Sequence, residues 1–473
     1  MKKYDPYKRL ILFALVLVEI VGLTICFGLF WYHHFIDMMY VVAFYRKGNY
    51  FIIAFYAAIM LFFLTIYGGN KIGQSRRFEV ILSQFIGIFF ADLMAYMLVS
   101  LLAYRLVNVT YFILMLAIDY VIAAGWGLLS SHLYQLIFKP WKILLIYGNR
   151  PAVDLVYKVD ERRDKYAIYE AIQASEGIEK IAEKMQQYEA VIIGDISAVE
   201  RNDLLKYCYG HGIRAYVVPK LSDILLMGTS RIHVFDTPFL LSKGYALSED
   251  ERFVKRMVDL ILALILTVLT SPFMLLVALA IKIEDGGPVL YKQTRCTENK
   301  REFSIYKFRS MIVDAEKGGK AQLATKNDTR ITRVGKVIRA TRLDELPQLF
   351  NILKGDMSFV GPRPERPEIM AEYEENMPEF AFRCRVKAGL TGLAQVYGKY
   401  NTTPYDKLKL DLFYIENYSI WRDLRLIMMT VKIMLMPDST EGIKDGEITA
   451  AVEASKEDIS QAVDRVNQQN AEE

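Results

Sequence analysis

Asp344 and Glu345 are adjacent carboxylates in an arginine-rich segment, and this segment carries more groups that could act together chemically than any other. Arg339 precedes the pair, and Arg363 follows it between two prolines, the first of which is Pro362. Nearby positive charge favours the ionised form of a carboxylate. An ionised Asp can attack phosphorus or hold Mg²⁺, whereas arginine forks hold phosphate oxygens. The pattern therefore predicts phosphoryl-transfer chemistry.

The same pair also suits the start of a helix, which is its commoner role. Asp and Glu favour the positive end of a helix, and Pro347 would stand in the first turn. The apolar residues 346–353 predict that short helix. The pair alone leaves capping and catalysis open, so other parts of the chain must decide between them.

A second basic element lies at residues 303–311, with the sequence FSIYKFRSM. Alternation of apolar and polar residues predicts a strand that projects Lys307 and Arg309 to one face. Alone, such a strand is usually a solvated edge. Beside a carboxylate pair it becomes a candidate phosphate clamp.

These elements belong to an unusually apolar chain. Of its 473 residues 53% are hydrophobic, and its mean hydropathy is +0.18, which is too apolar for an ordinary soluble enzyme. Stretches long enough to cross a bilayer occupy residues 10–32, 50–67, 80–104 and 109–129. Basic residues precede the first stretch and follow the second and the fourth, so the positive-inside rule predicts four spans with both termini cytoplasmic. We expect the first helix to be retained, because no signal-peptide cleavage pattern follows it.

Charge and cysteine content narrow the functional classes. The net charge of +4 is too small to predict nucleic-acid binding, and we expect no nucleic-acid partner. The four cysteines show no paired metal spacing and fit a reducing compartment. Glu19, Asp92 and Asp119 lie within the predicted spans, where we expect interhelical hydrogen bonding or protonation in preference to a functional charge.

After residue 141 the composition becomes that of a soluble domain. Residues 142–147, 190–195 and 214–219 read as strands, and helices are predicted at 172–188 and 198–209. This alternation predicts a small parallel, Rossmann-like sheet. Only Gly148 remains of a dinucleotide fingerprint in the first turn. We expect a degenerate nucleotide-binding, regulatory, spacer or dimerisation domain.

A fifth apolar segment, 253–283, has basic residues on both flanks and Ser271-Pro272 near its middle. Proline breaks or bends a helix, and serine can hydrogen-bond the carbonyl that proline frees. A helix that enters the membrane, kinks and returns to the same face would keep both basic flanks on that face. A straight fifth span is the alternative, because membrane helices tolerate proline.

Residues 252–437 resemble a known family. The order Ser271-Pro272, then YKFRSM with Asp314, then LDELPQLFNILKGDMSFVGPRP, then GLTGLAQV is similar to the monotopic phosphoglycosyl transferases. These are the bacterial polyprenyl-phosphate sugar-1-phosphate transferases that start exopolysaccharide, capsule and O-antigen assembly. The preceding spans and α/β domain resemble the large form of that family.

The resemblance implies transfer of a sugar 1-phosphate from a UDP-sugar to undecaprenyl phosphate, with release of UMP. Glucose or galactose is the expected sugar, ahead of N-acetylated sugars. Asp344 would attack phosphorus and form a covalent aspartyl phosphosugar, while Glu345, with Asp344, would hold Mg²⁺ or Mn²⁺. The expected substrate-binding residues are Lys307, Arg309, Arg339, Pro362 and Arg363.

The predicted fold is a membrane α-helical bundle plus α/β domains. It divides into a four-helix transmembrane domain (1–140), a Rossmann-like domain (141–245), a catalytic domain (246–437) with a re-entrant helix at 253–283, and an acidic mobile tail (438–473). We expect a homodimer in the bacterial cytoplasmic membrane, in contact with membrane lipids, with a cytoplasmic active site.

Two other readings stay open. One is a membrane-anchored regulatory or scaffold protein of the same pathway without catalysis, which would be favoured if Asp344 or the arginines were absent. The other is a polytopic transferase with its site among several spans. It predicts acidic residues in the cytoplasmic loops, where the 68–78 loop offers only Glu79 at its edge.

Overall fold

The computed structural model describes residues 5–39, 47–148, 152–242, 244–313, 328–398, 402–434 and 459–469. The chain forms two compact units, Met1–Val218 with Ser455–Glu473, and Pro219–Ala454. Asp314 and most of the predicted mobile tail lie outside the described residues.

Four long helices open the first unit. They are α1 (Lys8–Phe30), α2 (Lys47–Tyr67), α3 (Arg77–Leu102) and α4 (Thr110–Ile137). Helix α1 packs on α2 and α4, and α3 packs on the same two, which makes a four-helix bundle. Many large apolar side chains point outward, including Leu10, Phe13 and Leu101. A bundle that is apolar on its outside suits lipid rather than water.

Two of the three predicted intramembrane acids meet inside this bundle. The Tyr56 hydroxyl lies 2.7 Å from Asp92 Oδ1 and 3.4 Å from Asp119 Oδ2, and all three residues are buried. The three side chains come from three different helices, so this contact ties α2, α3 and α4 together. Glu19 is also buried, on α1.

A parallel four-stranded sheet follows the bundle in the first unit, in the order β2-β1-β3-β4. Its strands are β1 (Trp141–Tyr147), β2 (Tyr166–Gln173), β3 (Ala190–Ile193) and β4 (Arg214–Val217). Its helices are α5 (Val153–Asp160), α6 (Ile178–Met185) and α7 (Ala198–His211). Residues 143–146 of β1 are buried on both faces, as is usual for a parallel sheet.

Two predictions for this unit need correction. Strand β2 was not predicted, and the helix expected at 172–188 begins only at Ile178, because YAIYEAIQ fits either period about equally well. Part of the tail that was predicted to be mobile is ordered. Ile459–Gln469 forms a helix that packs beside α5 and β2, because its apolar residues Ala462, Val463 and Val466 share one buried face.

The second unit begins with helix α8 (Leu221–Met227) and the hairpin β5 (Ser230–Val234) and β6 (Thr237–Leu241). Ile224 of α8 lies in the core of this unit. The boundary between the two compact units therefore falls after Val218, whereas the predicted Rossmann-like domain extends to residue 245.

Helix α9 (Glu249–Asp285) follows and is long enough and apolar enough to cross a membrane, as are α1 to α4. The helix continues through Pro272. The Ser271 hydroxyl donates to the Val268 carbonyl at 2.8 Å, which is the carbonyl that a residue with an N–H at position 272 would bond. Serine therefore satisfies the acceptor that proline leaves open, as the sequence predicted.

The rest of the second unit surrounds one core. An antiparallel ribbon joins β7 (Leu290–Cys296) to β8 (Glu302–Phe308), and β9 (Ser358–Val360) pairs in parallel with β10 (Gly389–Thr391). The helices are α10 (Arg333–Ala340), α11 (Gln348–Lys354), α12 (Pro367–Asn376), α13 (Leu393–Tyr397), α14 (Pro404–Glu416) and α15 (Ile420–Met434). The helix of the first unit at Ile459–Gln469 is α16.

Candidate active site

Asp344 and Glu345 occupy a short 3-10 turn, Leu343–Glu345, between α10 and α11. Arg342, just before it, has a φ of 57°, a left-handed conformation that costs energy in a residue other than glycine. Neither end of this turn nor the start of α11 carries a side-chain cap. Neither carboxylate is therefore a hydrogen-bonding N-cap of this turn or of α11, although both stand in the first turn, as the capping alternative predicted.

Glu345 is locked between two basic residues. Its Oε1 lies 2.8 Å from Lys307 Nζ and 3.3 Å from a terminal nitrogen of Arg363. Burial opposes ionisation of this side chain, but the charges of Lys307 and Arg363 outweigh it and hold the pKa of Glu345 well below its usual range. Lys307 of the predicted Lys307–Arg309 clamp thus meets Arg363 at an ionised carboxylate.

Asp344 has a different environment. Burial, and then the negative charge of Glu345, raise the pKa of Asp344 above its usual value, against the opposing charges of Lys307 and Arg339. Among the described residues, its carboxylate forms no hydrogen bond or ion pair. We expected nearby arginines to favour ionisation of both carboxylates. The pKa of Asp344 instead moves upward, because burial and the charge of Glu345 outweigh the positive charges around it.

Asn351 holds these groups in register. Its side-chain oxygen accepts from the Tyr306 backbone N–H at 3.0 Å, and its amide donates to the Ser304 carbonyl at 2.8 Å. The residue is completely buried. This double contact fixes α11 against β8 and sets Lys307 opposite the carboxylate pair. Sequence reasoning missed it, although a polar residue inside an apolar helix was the available signal.

Arg309 contacts a partner outside the cluster. Its guanidinium forms a two-pronged ion pair with Asp285 at the end of α9, with one contact of 2.8 Å, and only 7% of its side chain is exposed. Lys307 and Arg309 therefore have different partners. Arg339 lies on α10, and its positive charge partly opposes the rise in the pKa of Asp344.

Backbone contacts hold the loop that carries Arg363. The Pro362 carbonyl accepts from Gly389, and the Arg363 carbonyl accepts from Arg383 at 3.0 Å. Arg383 is buried and pairs with Asp411 at 2.8 Å. This support was not predicted, because nothing in the sequence pairs residues so far apart.

Glycines allow that loop to meet β10 closely. A Cβ at Gly361 would lie 2.3 Å from the Lys387 carbonyl oxygen, and one at Gly389 would lie 2.1 Å from the Gly361 nitrogen. No side chain fits at either position. The glycines beside the PRP and LTG sequences therefore serve this close backbone approach.

Both ends of α9 are anchored on the second unit. Near its start, buried Lys255 pairs with Asp423, and Asp259 accepts from the Phe359 backbone at 3.0 Å. At its end, Glu284 accepts from the Arg333 backbone N–H at 2.8 Å. Between these anchors the helix exposes large apolar side chains, including Leu264, Val268, Leu269, Phe273, Leu275 and Leu276.

A metal ion would have two carboxylates in this cluster. Among the described residues, no group of three or more His, Cys, Asp or Glu side chains could hold a metal. Mg²⁺ is commonly held by one or two carboxylates together with substrate phosphates. Asp344, which has no hydrogen-bond or ion-pair partner in the part of the chain that the structure describes, and the adjacent Glu345 fit that arrangement.

Comparison with known proteins identifies the family of the region that contains this site. Residues 250–437 match the family model described as bacterial sugar transferase. The chain is 39% identical to the UDP-N-acetylgalactosamine-undecaprenyl-phosphate N-acetylgalactosaminephosphotransferase of Aeromonas hydrophila, over 53% of this chain and 59% of that protein.

Several relatives carry the name UDP-glucose:undecaprenyl-phosphate glucose-1-phosphate transferase. The protein from Xanthomonas campestris is 40% identical over 48% of each chain. The one from Caulobacter vibrioides is 43% identical over 39% of this chain and 71% of its own length. The chain thus matches roughly half of the length of the first two relatives. It belongs to the bacterial sugar transferases, within the phosphoglycosyl transferase superfamily that the motifs predicted.

Proposed function

We propose that the protein transfers a sugar 1-phosphate from a UDP-sugar to undecaprenyl phosphate, the first membrane step in making a polysaccharide. The observation that carries the proposal is the division within the carboxylate pair. Glu345 is held ionised by Lys307 and Arg363, whereas Asp344 beside it has no hydrogen-bond or ion-pair partner among the described residues. An accessible carboxylate beside fixed positive charge is what attack on a diphosphate requires.

The transfer takes place in two steps. An oxygen of Asp344 forms a bond to the phosphorus that bears the sugar, and the bond from that phosphorus to UMP breaks, so that UMP leaves with the bonding electrons. An oxygen of undecaprenyl phosphate then attacks the same phosphorus and releases the Asp344 carboxylate. The soluble donor and the membrane-held acceptor therefore need not bind together.

The surrounding residues would stabilise charge. Lys307, Arg339 and Arg363 are the proposed phosphate contacts, with Pro362 stiffening the backbone beside Arg363. Asp344 and Glu345 would hold Mg²⁺ or Mn²⁺, which neutralises diphosphate charge when bound. Arg309 was also expected to contact phosphate, and its ion pair with Asp285 favours a supporting role instead.

The contacts at both ends of α9 support the membrane arrangement that we propose. A globular unit that lies on one side of a bilayer can hold both ends of a membrane helix only if the helix returns to that side. We therefore propose re-entry for α9, four spans for α1 to α4, and an active site and termini in the cytoplasm of a bacterium. A homodimer is the proposed assembly.

The sugar is the least defined part of the proposal. Relatives are named for glucose, galactose and N-acetylgalactosamine. Incubating the purified protein with undecaprenyl phosphate and each UDP-sugar, and measuring UMP release, identifies the donor. We expect glucose or galactose to be used, ahead of the N-acetylated sugars.

Asp344→Asn tests the mechanism directly. An amide cannot form the covalent intermediate, so we expect UMP release to fall by at least about a thousandfold while membrane insertion is unchanged. Mass spectrometry should find a phosphosugar adduct on the wild type and none on the variant. Substantial turnover by Asp344→Asn would rule out the covalent route.

A further inference from the structure

A basic cleft in the first unit lies outside the region that matches the bacterial sugar transferases. It occurs where α1 begins, α4 ends and β1 begins, at the junction of the apolar bundle and the parallel sheet. The residues that line it are Lys8, Tyr134, Phe138, Lys139, Trp141, Asp164 and Lys165. The proposed phosphoryl transfer uses none of them.

Lysines outnumber acidic residues in the lining of the cleft. Three of its residues are lysines, whose ammonium groups can donate hydrogen bonds but cannot accept them. Its one acid, Asp164, forms two contacts of 2.9 and 3.0 Å with Arg162, which offsets its charge. A bound group should therefore be an anion with several acceptor oxygens.

Aromatic rings form the apolar wall of the cleft. Lys8 Nζ lies 5.2 Å from the centre of the Tyr134 ring and 5.0 Å from that of Phe138. Trp141 is buried in the same wall. Aromatic and basic residues together are typical of the level at which lipid headgroups meet the hydrocarbon.

The helices beside the cleft favour a lipid over a free anion. Leu10 and Phe13 of α1, and Leu136 of α4, are each at least 64% exposed, although they lie within two helical turns of Lys8 or Lys139. Such surfaces are satisfied by acyl chains and not by water. A ligand with a phosphate head and apolar tails would match both the cleft and the helices.

We propose that this cleft binds the phosphate headgroup of an anionic membrane phospholipid. The lysines contact the phosphate oxygens, and the acyl chains lie along α1 and α4. The bound lipid joins the bundle to the parallel sheet of the first unit and holds the sheet at the membrane surface.

The test measures lipid affinity of the full-length protein in detergent by native mass spectrometry. Phosphatidylglycerol and phosphatidylcholine are titrated separately, with inorganic phosphate as a competitor in a third arm. Each lysine near a lipid surface contributes about 1 kcal/mol, so Lys8→Gln with Lys165→Gln should weaken phosphatidylglycerol binding about 30-fold. Phosphatidylcholine binding should not change.

The matched control is Lys180→Gln with Lys206→Gln, two exposed lysines on α6 and α7 of the same unit. It removes the same charge and should keep wild-type affinity. Lys139→Gln, at an exposed position, should weaken binding about fivefold and covers the case in which the double variant does not fold. Unchanged phosphatidylglycerol affinity in the cleft variants overturns the proposal, as does complete displacement by millimolar phosphate.

Discussion

Two neighbouring carboxylates in this site have opposite electrostatic environments. Lys307 and Arg363 both contact Glu345, and its pKa is lowered. Burial and the charge of Glu345 raise the pKa of Asp344. The two cations therefore favour the ionised form of Glu345, and we expect protonation of Asp344 to limit the reaction on the acid side.

Glu345→Gln should move the acid limb of kcat/KM to lower pH. Asp344 must be ionised to attack, so the rate falls as pH drops through its pKa. Removing the charge of Glu345 removes one cause that raises this pKa, so the limb shifts downward. Lys307→Gln removes a cation that lowers the same pKa, so it should shift the limb upward.

The same Glu345→Gln variant should need a higher Mg²⁺ concentration for half-maximal UMP release. Excess EDTA should abolish UMP release by the wild type. Overall rates will fall in both Glu345→Gln and Lys307→Gln. The two variants are therefore compared by the pH at which the acid limb of kcat/KM lies. Acid limbs that shift in the same direction in the two variants, or full wild-type activity in excess EDTA, would contradict these assignments.

At the scale of elements, the end of α9 is joined to β8, the strand that carries Lys307. Arg309 follows β8 directly and pairs with Asp285, the last residue of α9. Glu284 beside it accepts from the start of α10, the helix that leads to Asp344. Neighbouring contacts therefore hold the end of α9 and the helix before the turn that carries Asp344.

Arg309→Met should lower the Tm of the protein, though by less than the loss of a fully buried pair would, because Asp285 is partly exposed. Asp285→Asn should have a similar effect, and the double variant should cost little more, because both changes break one interaction. Thermal unfolding in detergent measures all three. If Arg309 binds substrate phosphate, Arg309→Lys would instead raise KM without lowering Tm, and Asp285→Asn would leave KM unchanged.

Helix α9 should have both ends on one side of the membrane. Single cysteines at Phe253 and Ile283, both exposed, are introduced after Cys26, Cys208, Cys296 and Cys384 have been replaced. An impermeant thiol reagent added outside intact cells should label neither position until the membrane is opened. Labelling of one position from outside would establish a straight fifth span.

Pro272→Ala provides the comparison for that experiment. Alanine restores the missing N–H and removes the ring clash, so the helix should tend to straighten and span. One flank should then become accessible from outside, and transfer should fall because Asp344 is displaced from the acceptor. A variant with wild-type labelling and activity would show that proline does not set the path of α9.

At the scale of the whole molecule, long uniform patterns were the predictable part. The four apolar stretches are long and apolar throughout, the strands β1, β3 and β4 lie in short runs rich in apolar residues, and Asp344 and Glu345 stand in a highly specific motif. Contacts between distant segments could not be predicted. The pairs Arg309–Asp285 and Arg383–Asp411 join charged residues that look equally well suited to solvent until the fold is known.

The return of the chain to its first unit was also hidden. Helix α16 lies in an acidic and polar tail, so its composition predicts mobility. Its few apolar residues nevertheless fall on one face, and that face covers one side of the sheet beside α5. The first unit therefore includes residues from both ends of the sequence.

Val463→Asp should weaken the packing of α16 on the sheet of the first unit. Val463 is buried against the sheet, and an unpaired carboxylate there would cost roughly 3 kcal/mol or release the helix. Hydrogen exchange of the full-length protein should then quicken in β1 and β2, whose shared face α16 covers. Asp464→Ala, on the exposed side of the same helix, is the matched control and should leave exchange unchanged. If β1 and β2 exchange at wild-type rates in Val463→Asp, then α16 is a passive attachment and the sheet is stable without it.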